Sequence, residues 1–247
     1  MFFGKGFGIH QKGDRWNVVA PTEGGLRIAI RTWFGVMSES SNRLEWSRRL
    51  QAIAQNGLTF AHDPYEIERY KAVREIAAEM LSESTGLQQP AILGLLEKET
   101  GYATPKVDVR GIVFRDDKLL LVRERSDGKW TPPGGWADVC ESLAENVVRE
   151  VYEESGFSTR AEKILALYDR SKHPHQPAFA FHVYKVFVLC SIVGGVAAPS
   201  NETDSIGFFS EHEIPELSLT RVTPGQIRRM FEHYRNPSLP ADFDPES

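Results

Sequence analysis

Three glutamates at positions 150, 153 and 154 have the side chains and the spacing to do chemistry together. Successive residues of an α-helix turn by about 100°, so Glu150, Glu153 and Glu154 fall within an arc of about 100° on one face. Like charges at this spacing repel, and the cluster therefore favours a cationic counterion. Hard divalent cations such as Mg²⁺ prefer oxygen ligands and keep coordination positions for substrate phosphates. The spacing predicts metal-assisted cleavage of a phosphoanhydride bond.

The glutamates belong to a longer pattern that begins at Gly135. From there to Phe157 the residues follow G-x5-E-x7-R-E-V-x-E-E-x-G-F, in which Glu141 and Arg149 are the other charged positions. Seven fully specified positions match by chance on the order of 10⁻⁸ per starting point at ordinary residue usage. Arg149 precedes Glu153 by four residues, and we expect it to orient a carboxylate, with a surface ion pair as the alternative.

This pattern resembles the Nudix box, and residues 106–236 resemble a Nudix hydrolase domain. The resemblance implies an α/β fold, the Nudix α/β/α sandwich, in which the box forms a loop, a helix and a second loop. It also implies that Mg²⁺, or Mn²⁺ in its place, binds to the backbone carbonyl of Gly135 and to the carboxylates of Glu150, Glu153 and Glu154.

The resemblance also implies the catalytic residues, which we expect to be Glu153, Glu150, Arg149 and Glu202. Family members usually add one acidic residue from a later loop, as a metal ligand or a base. Glu202 in SNETDSIGFF is the candidate by its order in the chain, and an ordinary exposed carboxylate is the alternative.

Other polar residues are candidates for choosing the substrate. Arg123 and Arg125 end the β-rich run LLLVRER, and a guanidinium can hold two phosphate oxygens at once. His173 lies in the loop SKHPHQP, where it could face the base, the ribose or the distal group. We expect Arg123, Arg125 and His173 to bind the substrate, although each could simply be a solvated surface residue.

The elements that position these residues follow from the hydrophobic pattern. Asp116-Asp117 separates two β-rich runs and predicts a hairpin. Isolated helices alternate with strands, which favours a mixed α/β sandwich. We predict strands over residues 107–114, 118–122, 161–168, 178–189 and 206–209, and helices over residues 142–155 and 224–234.

Two amphipathic helices precede the box. The first runs from Leu44 to Asn56-Gly57, which supplies a C-terminal stop, and the second starts at Asp63-Pro64. We therefore expect a poorly structured extension over residues 1–43, a small helical accessory domain over residues 44–104 and the Nudix domain over residues 105–247. A further hypothesis is that Met37 is the physiological start.

The helical segment Trp46–Tyr70 and the later run FFSEHEIPELSLTRV resemble a Nudix subgroup that includes ADP-ribose and CDP-choline pyrophosphatases. This resemblance implies Mg²⁺-dependent hydrolysis of the pyrophosphate bond in a nucleoside diphosphate derivative, with release of a nucleoside monophosphate. It also implies that the accessory helices form a homodimer, with direct substrate contact as the alternative.

The composition argues against nucleic acids and membranes as partners. A net charge of −5 argues against nucleic acid as a partner, because phosphate neutralisation needs a basic surface. No run of about 18 apolar residues is present, so we expect no membrane partner. Cys140 and Cys190 are the two cysteines, which fits a reducing cytoplasm.

Two alternative functions stay open at this point. A Nudix fold also serves as a nucleotide-binding sensor or regulatory module, although the three intact glutamates argue against lost catalysis. A house-cleaning nucleoside triphosphate pyrophosphatase is the other possibility, and the accessory helices argue against it, because minimal enzymes of that type need only the core domain.

Overall fold

The computed structural model of the protein describes residues 8–12, 15–19 and 25–245, with side chains from residue 42 onward. Strands β1 (Gly8–Lys12) and β2 (Arg15–Val19) pair antiparallel. Helix α1 spans Gly25–Phe60 and thus begins before Leu44, where the pattern predicts its start. The rest of the expected extension, residues 1–7, 13–14 and 20–24, lies outside the described residues.

Three helices form the N-terminal region. After α1 come α2 (Pro64–Thr85), which Asp63 caps through hydrogen bonds from two backbone amides, and α3 (Gln89–Leu96). The prediction that Asn56-Gly57 ends α1 is wrong, because the helix continues to Phe60. A Cβ atom at Gly57 would overlap the ring of Tyr70, so this glycine serves the close approach of α1 and α2 rather than a helix end.

The predicted α/β fold is confirmed: a mixed sheet lies between two helices in the rest of the chain. The sheet has the strand order β5-β4-β3-β7-β6-β9, and β8 pairs with β4 on a separate branch. Its elements are β3 (Lys106–Arg115), β4 (Lys118–Glu124), β5 (Trp130–Thr131), α4 (Leu143–Ser155), β6 (Phe157–Asp169), β7 (Val183–Gly195), β8 (Thr203–Phe209), α5 (Pro224–Arg235) and β9 (Asp242–Phe243).

The first hairpin of this sheet forms as predicted. Asp116 and Asp117 both have positive φ angles, 51° and 58°, between β3 and β4. Two such residues make the type I′ turn that matches the twist of a two-residue hairpin. The hairpin fixes the register in which Phe114 faces Leu119.

Alternating side chains of β3 contact the two helical layers. Ile112 belongs to the apolar cluster under α5, whereas Val109 and Val113 belong to the cluster under α4. Gly111 faces α4 as well, and a Cβ atom there would overlap the side chain of Val151. The glycine therefore lets α4 lie close against β3, near the loop that precedes the helix.

The segment between β6 and β7 connects the two regions of the chain. Ala180 and Phe181 pack with Ile92 and Leu96 of α3, and Arg48 of α1 donates a hydrogen bond to the Phe179 carbonyl at 2.6 Å. The helical region thus holds the segment that leads into β7. Within the described part of the chain, no helix is both long and apolar enough to cross a membrane.

Candidate active site

Helix α4 presents the three glutamates beside the loop that precedes it. Ser142 caps the helix in a reciprocal pair with Glu145, and Gly156 ends it with a φ of 77°. The three carboxylates differ in environment, because Glu153 is exposed, Glu150 is partly buried and Glu154 is 5% exposed.

Arg149 lies at the centre of a carboxylate cluster. Its Nη1 donates to Glu150 Oε1 at 2.9 Å and to Glu153 Oε2 at 3.1 Å, and its Nε contacts both oxygens of Glu141. Its Nη2 donates to Asp138 Oδ2 at 2.8 Å. Burial alone would lower the pKa of Arg149, but these hydrogen bonds raise it above its usual value. The guanidinium thus contacts the acidic face of α4, and its role in orienting the carboxylates stays a prediction.

Glu154 turns away from Arg149 and into the loop. Its Oε2 accepts a hydrogen bond from the backbone amide of Gly134 at 2.9 Å. Burial raises the pKa of Glu154 to about 8, although the charge of Arg110 and the Gly134 hydrogen bond act in the opposite direction. A divalent ion or another cation near this carboxylate would favour its ionised form.

The glycines of the loop are required by close contacts. Gly134 has a φ of 141°, and a Cβ atom there would overlap the Val109 carbonyl oxygen. A Cβ atom at Gly135 would lie 3.0 Å from Glu150 Oε2. The Gly135 carbonyl accepts a hydrogen bond from the Val109 amide at 2.8 Å, and the Pro133 carbonyl accepts one from the Gly111 amide at 2.8 Å. The loop is therefore fixed along β3.

A buried charge network supports this loop, and its residues lie outside the box pattern. Asp108 and Arg110 of β3 form a two-fold hydrogen-bonded ion pair, and Lys185 of β7 donates to the same carboxylate. Arg110 also donates to the Pro132 carbonyl at 3.3 Å. The i, i+2 spacing of Asp108 and Arg110 in an otherwise apolar strand was the available signal, since it places both on one face.

The charges of this network shift one another's pKa values. Burial alone would raise the pKa of Asp108, but the charges of Arg110 and Lys185 outweigh it and lower the pKa to about 2. Burial lowers the pKa of Lys185 to about 8, and Asp108 opposes that shift. The Asp108 carboxylate thus stays ionised at neutral pH.

Glu202 lies close to the backbone of α4. Its neighbour Thr203 donates a hydrogen bond to the Glu154 carbonyl at 2.7 Å, and the Glu202 carbonyl accepts one from the Arg125 amide. Glu124 of β4, which lies outside the box pattern, is buried and pairs with Arg221 at 2.9 Å. Its charge opposes the ionisation of Glu154, so Glu124 is a further carboxylate on this side of the site.

The three residues expected to bind substrate each have partners within the protein. Arg123 forms a bidentate pair with Asp204, at 2.6 and 3.0 Å. Arg125 donates to the Ser200 carbonyl, and His173 Nε2 lies 2.9 Å from Asp244. Substrate binding by Arg123, Arg125 and His173 stays a prediction.

The donor atoms on the acidic face suit a hard divalent ion, because all of them are oxygens. Among the residues that the structure describes, however, no three His, Cys, Asp or Glu side chains already form a group that could hold an ion. Arg149 holds Glu150 and Glu153, whereas the Gly134 amide holds Glu154. An ion would replace part of these contacts, and metal binding by Gly135 and the three glutamates stays a prediction.

Two aromatic residues next to the loop were also missed. Trp136 follows Gly135, and its ring faces that of Phe179 with 6.3 Å between the ring centroids. Asp108 and Trp136 form a backbone bridge, which brings Trp136 alongside β3. Trp136 belongs to the variable part of the box pattern, so its position there carried no signal.

Two family models match the chain. One, described as the NUDIX domain, matches residues 104–232, which contain the sheet, α4 and α5. The other, described as a UDP-X-like, N-terminal oligomerisation domain, matches residues 41–96. Together the two models extend from within α1 to α5.

Curated relatives match half of the chain or more. A putative ADP-ribose pyrophosphatase of Bacillus subtilis (strain 168) is 43% identical over 201 residues, which cover 81% of this chain and 96% of that protein. The ADP-ribose pyrophosphatase of Methanocaldococcus jannaschii is 29% identical over 126 residues, which cover 50% of this chain and 72% of that protein.

Solved structures show the same similarity. A crystal structure of UDP-X diphosphatase is 30% identical with a TM-score of 0.53, and the match covers 83% of this chain and 98% of that one. A crystal structure of an ADP-ribose pyrophosphatase from Streptococcus suis 89-1591 is 42% identical with a TM-score of 0.52, covering 57% of this chain and all of that one.

Proposed function

Because this chain belongs to the Nudix hydrolase family, we propose that it hydrolyses the pyrophosphate bond of nucleoside diphosphate derivatives and releases a nucleoside monophosphate. The observation that carries the proposal is the arrangement of Glu150, Glu153 and Glu154 on one helix beside the Gly134–Gly135 loop. A structural helix face would not need a glycine loop packed against its carboxylates.

Mg²⁺ is the proposed cofactor, with Mn²⁺ as an alternative. Bound at the acidic face, the ion would neutralise the diphosphate and lower the pKa of an attacking water. The exposed Glu153 and the partly buried Glu150 would hold the ion, while Glu154 and the Gly134–Gly135 loop would complete the set of oxygen donors.

The protein's own residues would orient the reactants. Arg149 sets the direction of Glu150 and Glu153 through its Nη1 contacts. Glu202 is the proposed proton acceptor for the water, since Thr203 ties its loop to the Glu154 carbonyl. Positioning of this kind supplies much of the rate enhancement in phosphoryl chemistry.

Relatives named as ADP-ribose pyrophosphatases and as a UDP-X diphosphatase support a nucleoside diphosphate linked to another group as the substrate. We propose ADP-ribose first and a CDP-alcohol such as CDP-choline second. A panel of ADP-ribose, CDP-choline, NADH, diadenosine polyphosphates and oxidised dGTP, assayed with Mg²⁺ by chromatographic detection of the nucleotide products, tests the class. Turnover of a diphosphate derivative supports the proposal; preference for oxidised dGTP, or nucleotide binding without turnover, contradicts it.

We also propose that the protein is a homodimer. Trp46, Ile53 and Phe60 are exposed at seven-residue intervals on α1, a spacing that places them on one side of the helix. The match of residues 41–96 to an oligomerisation domain supports a second copy as the partner. Sedimentation should give a dimer for the unaltered protein and a monomer for Ile53→Asp, whereas Val193→Asp, at an exposed site on β7, should stay a dimer.

The cytoplasm is the proposed location. Cys140 and Cys190 are both free, and Cys140 is exposed, which fits a reducing compartment.

A further inference from the structure

A cavity of about 590 Å³ lies between the helical region and the sheet domain. Cavities of roughly 300–1,000 Å³ commonly hold small-molecule ligands. One wall is the polar side of α1, and the other is formed where β3 and β7 begin and β6 ends. Among the residues that the structure describes, the lining includes none of the box, residues 135–157. The cavity is therefore separate from the acidic face of α4.

The α1 wall consists of side chains from one side of that helix. Arg48, Gln51 and Gln55 follow one another at three- and four-residue spacing, which places them on a common face. At about 100° per residue, this face lies opposite the exposed apolar side chains that we propose for the dimer. Pairing of two copies through that apolar side would leave the polar wall uncovered.

Two buried polar atoms of the α1 wall lack a hydrogen-bond partner within the described part of the chain. Gln51 is 7% exposed and its Oε1 accepts no hydrogen bond, whereas its Nε2 lies 3.5 Å from Gln55 Oε1. The Nε of Arg48 is also buried and donates to no acceptor. Native proteins rarely leave such atoms without a protein, water or ligand partner. A ligand that fits here donates a hydrogen bond to Gln51 and accepts one from Arg48.

The positive charge near this wall has only neutral hydrogen-bond partners. Arg48 donates to the Phe179 carbonyl at 2.6 Å, and the neighbouring Arg170 donates to the carbonyls of Pro177 and Thr220. Burial lowers the pKa of both guanidinium groups, and the charge of Arg48 lowers the pKa of Arg170 further. Buried charges in proteins are normally paired with opposite ones. An anion beside Arg48 would therefore stabilise both groups.

The carboxylates that line the cavity already have partners. These are Arg49 for Glu45, Lys106 for Glu99 and His182 for Asp169. Of the lysines and arginines on the described walls, Arg48 and Lys172 form no ion pair with a carboxylate. The cavity thus favours an anionic ligand over a cationic one.

We propose that this cavity is a second ligand site, which binds a phosphate monoester that carries free hydroxyl groups. A guanidinium holds phosphate oxygens well, so the phosphate would accept from Arg48 while a hydroxyl group donates to Gln51. The ligand would contact α1 and the sheet domain together. The site is assigned independently of the proposed reaction, which would release two such monoesters from ADP-ribose: a nucleoside monophosphate and a sugar phosphate.

Calorimetric titration with AMP and with ribose 5-phosphate tests the site and distinguishes these two sources. EDTA is present throughout, so that the carboxylates of α4 hold no ion and repel phosphate. We expect at least one ligand to bind the unaltered protein. Arg48→Met should weaken that binding roughly tenfold to a hundredfold, and Gln51→Leu about threefold to tenfold. Arg43→Met is the matched control and should bind as the unaltered protein does, because Arg43 is an exposed arginine of α1 that pairs with Glu83.

The Gln51→Leu variant separates ligand binding from a structural role. It removes a buried oxygen that has no partner in the described part of the chain. Its unfolding temperature should therefore stay the same or rise, although its ligand binding weakens. This variant also keeps the test decisive if loss of the Arg48–Phe179 hydrogen bond loosens the fold of Arg48→Met.

The outcomes separate this site from the proposed reaction. Binding of AMP or of ribose 5-phosphate that a folded Gln51→Leu variant weakens would support the site and identify its ligand, even if ADP-ribose is not hydrolysed. No binding of either ligand at millimolar concentration would overturn the proposal, since water would then satisfy the polar atoms. Binding that Gln51→Leu leaves unchanged would also overturn it. So would binding that Glu153→Gln weakens, because the ligand would then lie at the acidic face of α4.

Discussion

Gly134 donates its backbone N–H to the carboxylate of Glu154 at 2.9 Å, and this contact links the loop to the helix that follows it. The same loop is hydrogen-bonded to β3 on its other side, through the Gly135 and Pro133 carbonyls. Strand, loop and helix therefore form one unit around the carboxylates. Catalytic groups need this kind of rigid support to hold a productive geometry.

Gly134→Ala should both destabilise the protein and abolish its activity. Alanine at this position would have to adopt a positive φ, and its Cβ atom would overlap the Val109 carbonyl oxygen. We expect a loss of more than about 3 kcal/mol in the free energy of unfolding, measured by urea denaturation. Gly128→Ala is the matched control, because Gly128 also has a positive φ but has no neighbouring atom within 4 Å of the added Cβ. It should cost about 1–2 kcal/mol, and equal losses for the two variants would refute the steric argument.

Arg149→Ala should lower turnover strongly and should have little effect on the free energy of unfolding. The variant removes the group that orients Glu150 and Glu153. Loss of a residue that orients metal ligands typically lowers activity by roughly 10- to 100-fold. Steady-state kinetics measure this effect, and Arg160→Ala, which breaks an exposed pair with Glu162, is the control. Similar kcat/KM values for both variants would mean that Arg149 is only a surface ion pair.

Asp108→Asn should lower the free energy of unfolding, because it leaves two buried cations without their counterion. Arg110 and Lys185 would lose their carboxylate, and removal of one partner from a buried ionic group costs about 3–5 kcal/mol. Because the folded-state pKa of Asp108, about 2, lies below the ordinary 3.8, its stabilisation is complete above pH 3.8. It is lost as the pH falls from 3.8 towards 2.

Urea denaturation at pH 7 and in this acidic range checks both parts of that prediction. The difference between the unaltered protein and Asp108→Asn should be large at pH 7 and smaller in acid. Asp204→Asn, in the more exposed pair with Arg123, should have a much smaller effect at pH 7. A difference that does not depend on pH would show that Asp108 is not the titrating group.

Gly57→Ala and Gly94→Ala should have opposite effects on stability. Both glycines lie inside helices, where alanine is normally favoured by about 0.5–1 kcal/mol. No atom lies within 4 Å of a Cβ at Gly94, so Gly94→Ala should stabilise the protein. At Gly57 the methyl group meets the Tyr70 ring, and we expect a loss of about 1–3 kcal/mol. Thermal unfolding of both variants provides the measurement, and stabilisation by Gly57→Ala would contradict the close packing of α1 and α2.

The sequence predicts local elements well where a pattern has one physical cause. Asp116-Asp117 predicts the hairpin because both residues tolerate a positive φ, and the spacing of the three glutamates predicts their common helix face. The end of α1 was mispredicted, because a glycine that ends a helix and one that admits a neighbouring ring look alike in a sequence.

Contacts between distant parts of the chain could not be predicted from the sequence. Asp108 meets Lys185 only because β3 and β7 are parallel neighbours, and nothing local indicates that pairing. Phe179 reaches Trp136 through a segment that Arg48 of a different helix holds in place. In the same way, Asp204 pairs with Arg123 across β4 and β8, a partner that the pattern LLLVRER does not reveal.

The rate of nucleoside monophosphate formation from ADP-ribose, measured for the unaltered protein and for Glu153→Gln with Mg²⁺ and with EDTA, tests the central claim most directly. The exposed Glu153 contacts Arg149 and contributes little to the core, so the variant should unfold at the same temperature. We predict Mg²⁺-dependent turnover that EDTA abolishes and that Glu153→Gln lowers by orders of magnitude. Full activity of a folded Glu153→Gln variant, or turnover that persists in EDTA, would contradict a metal-dependent reaction at these glutamates.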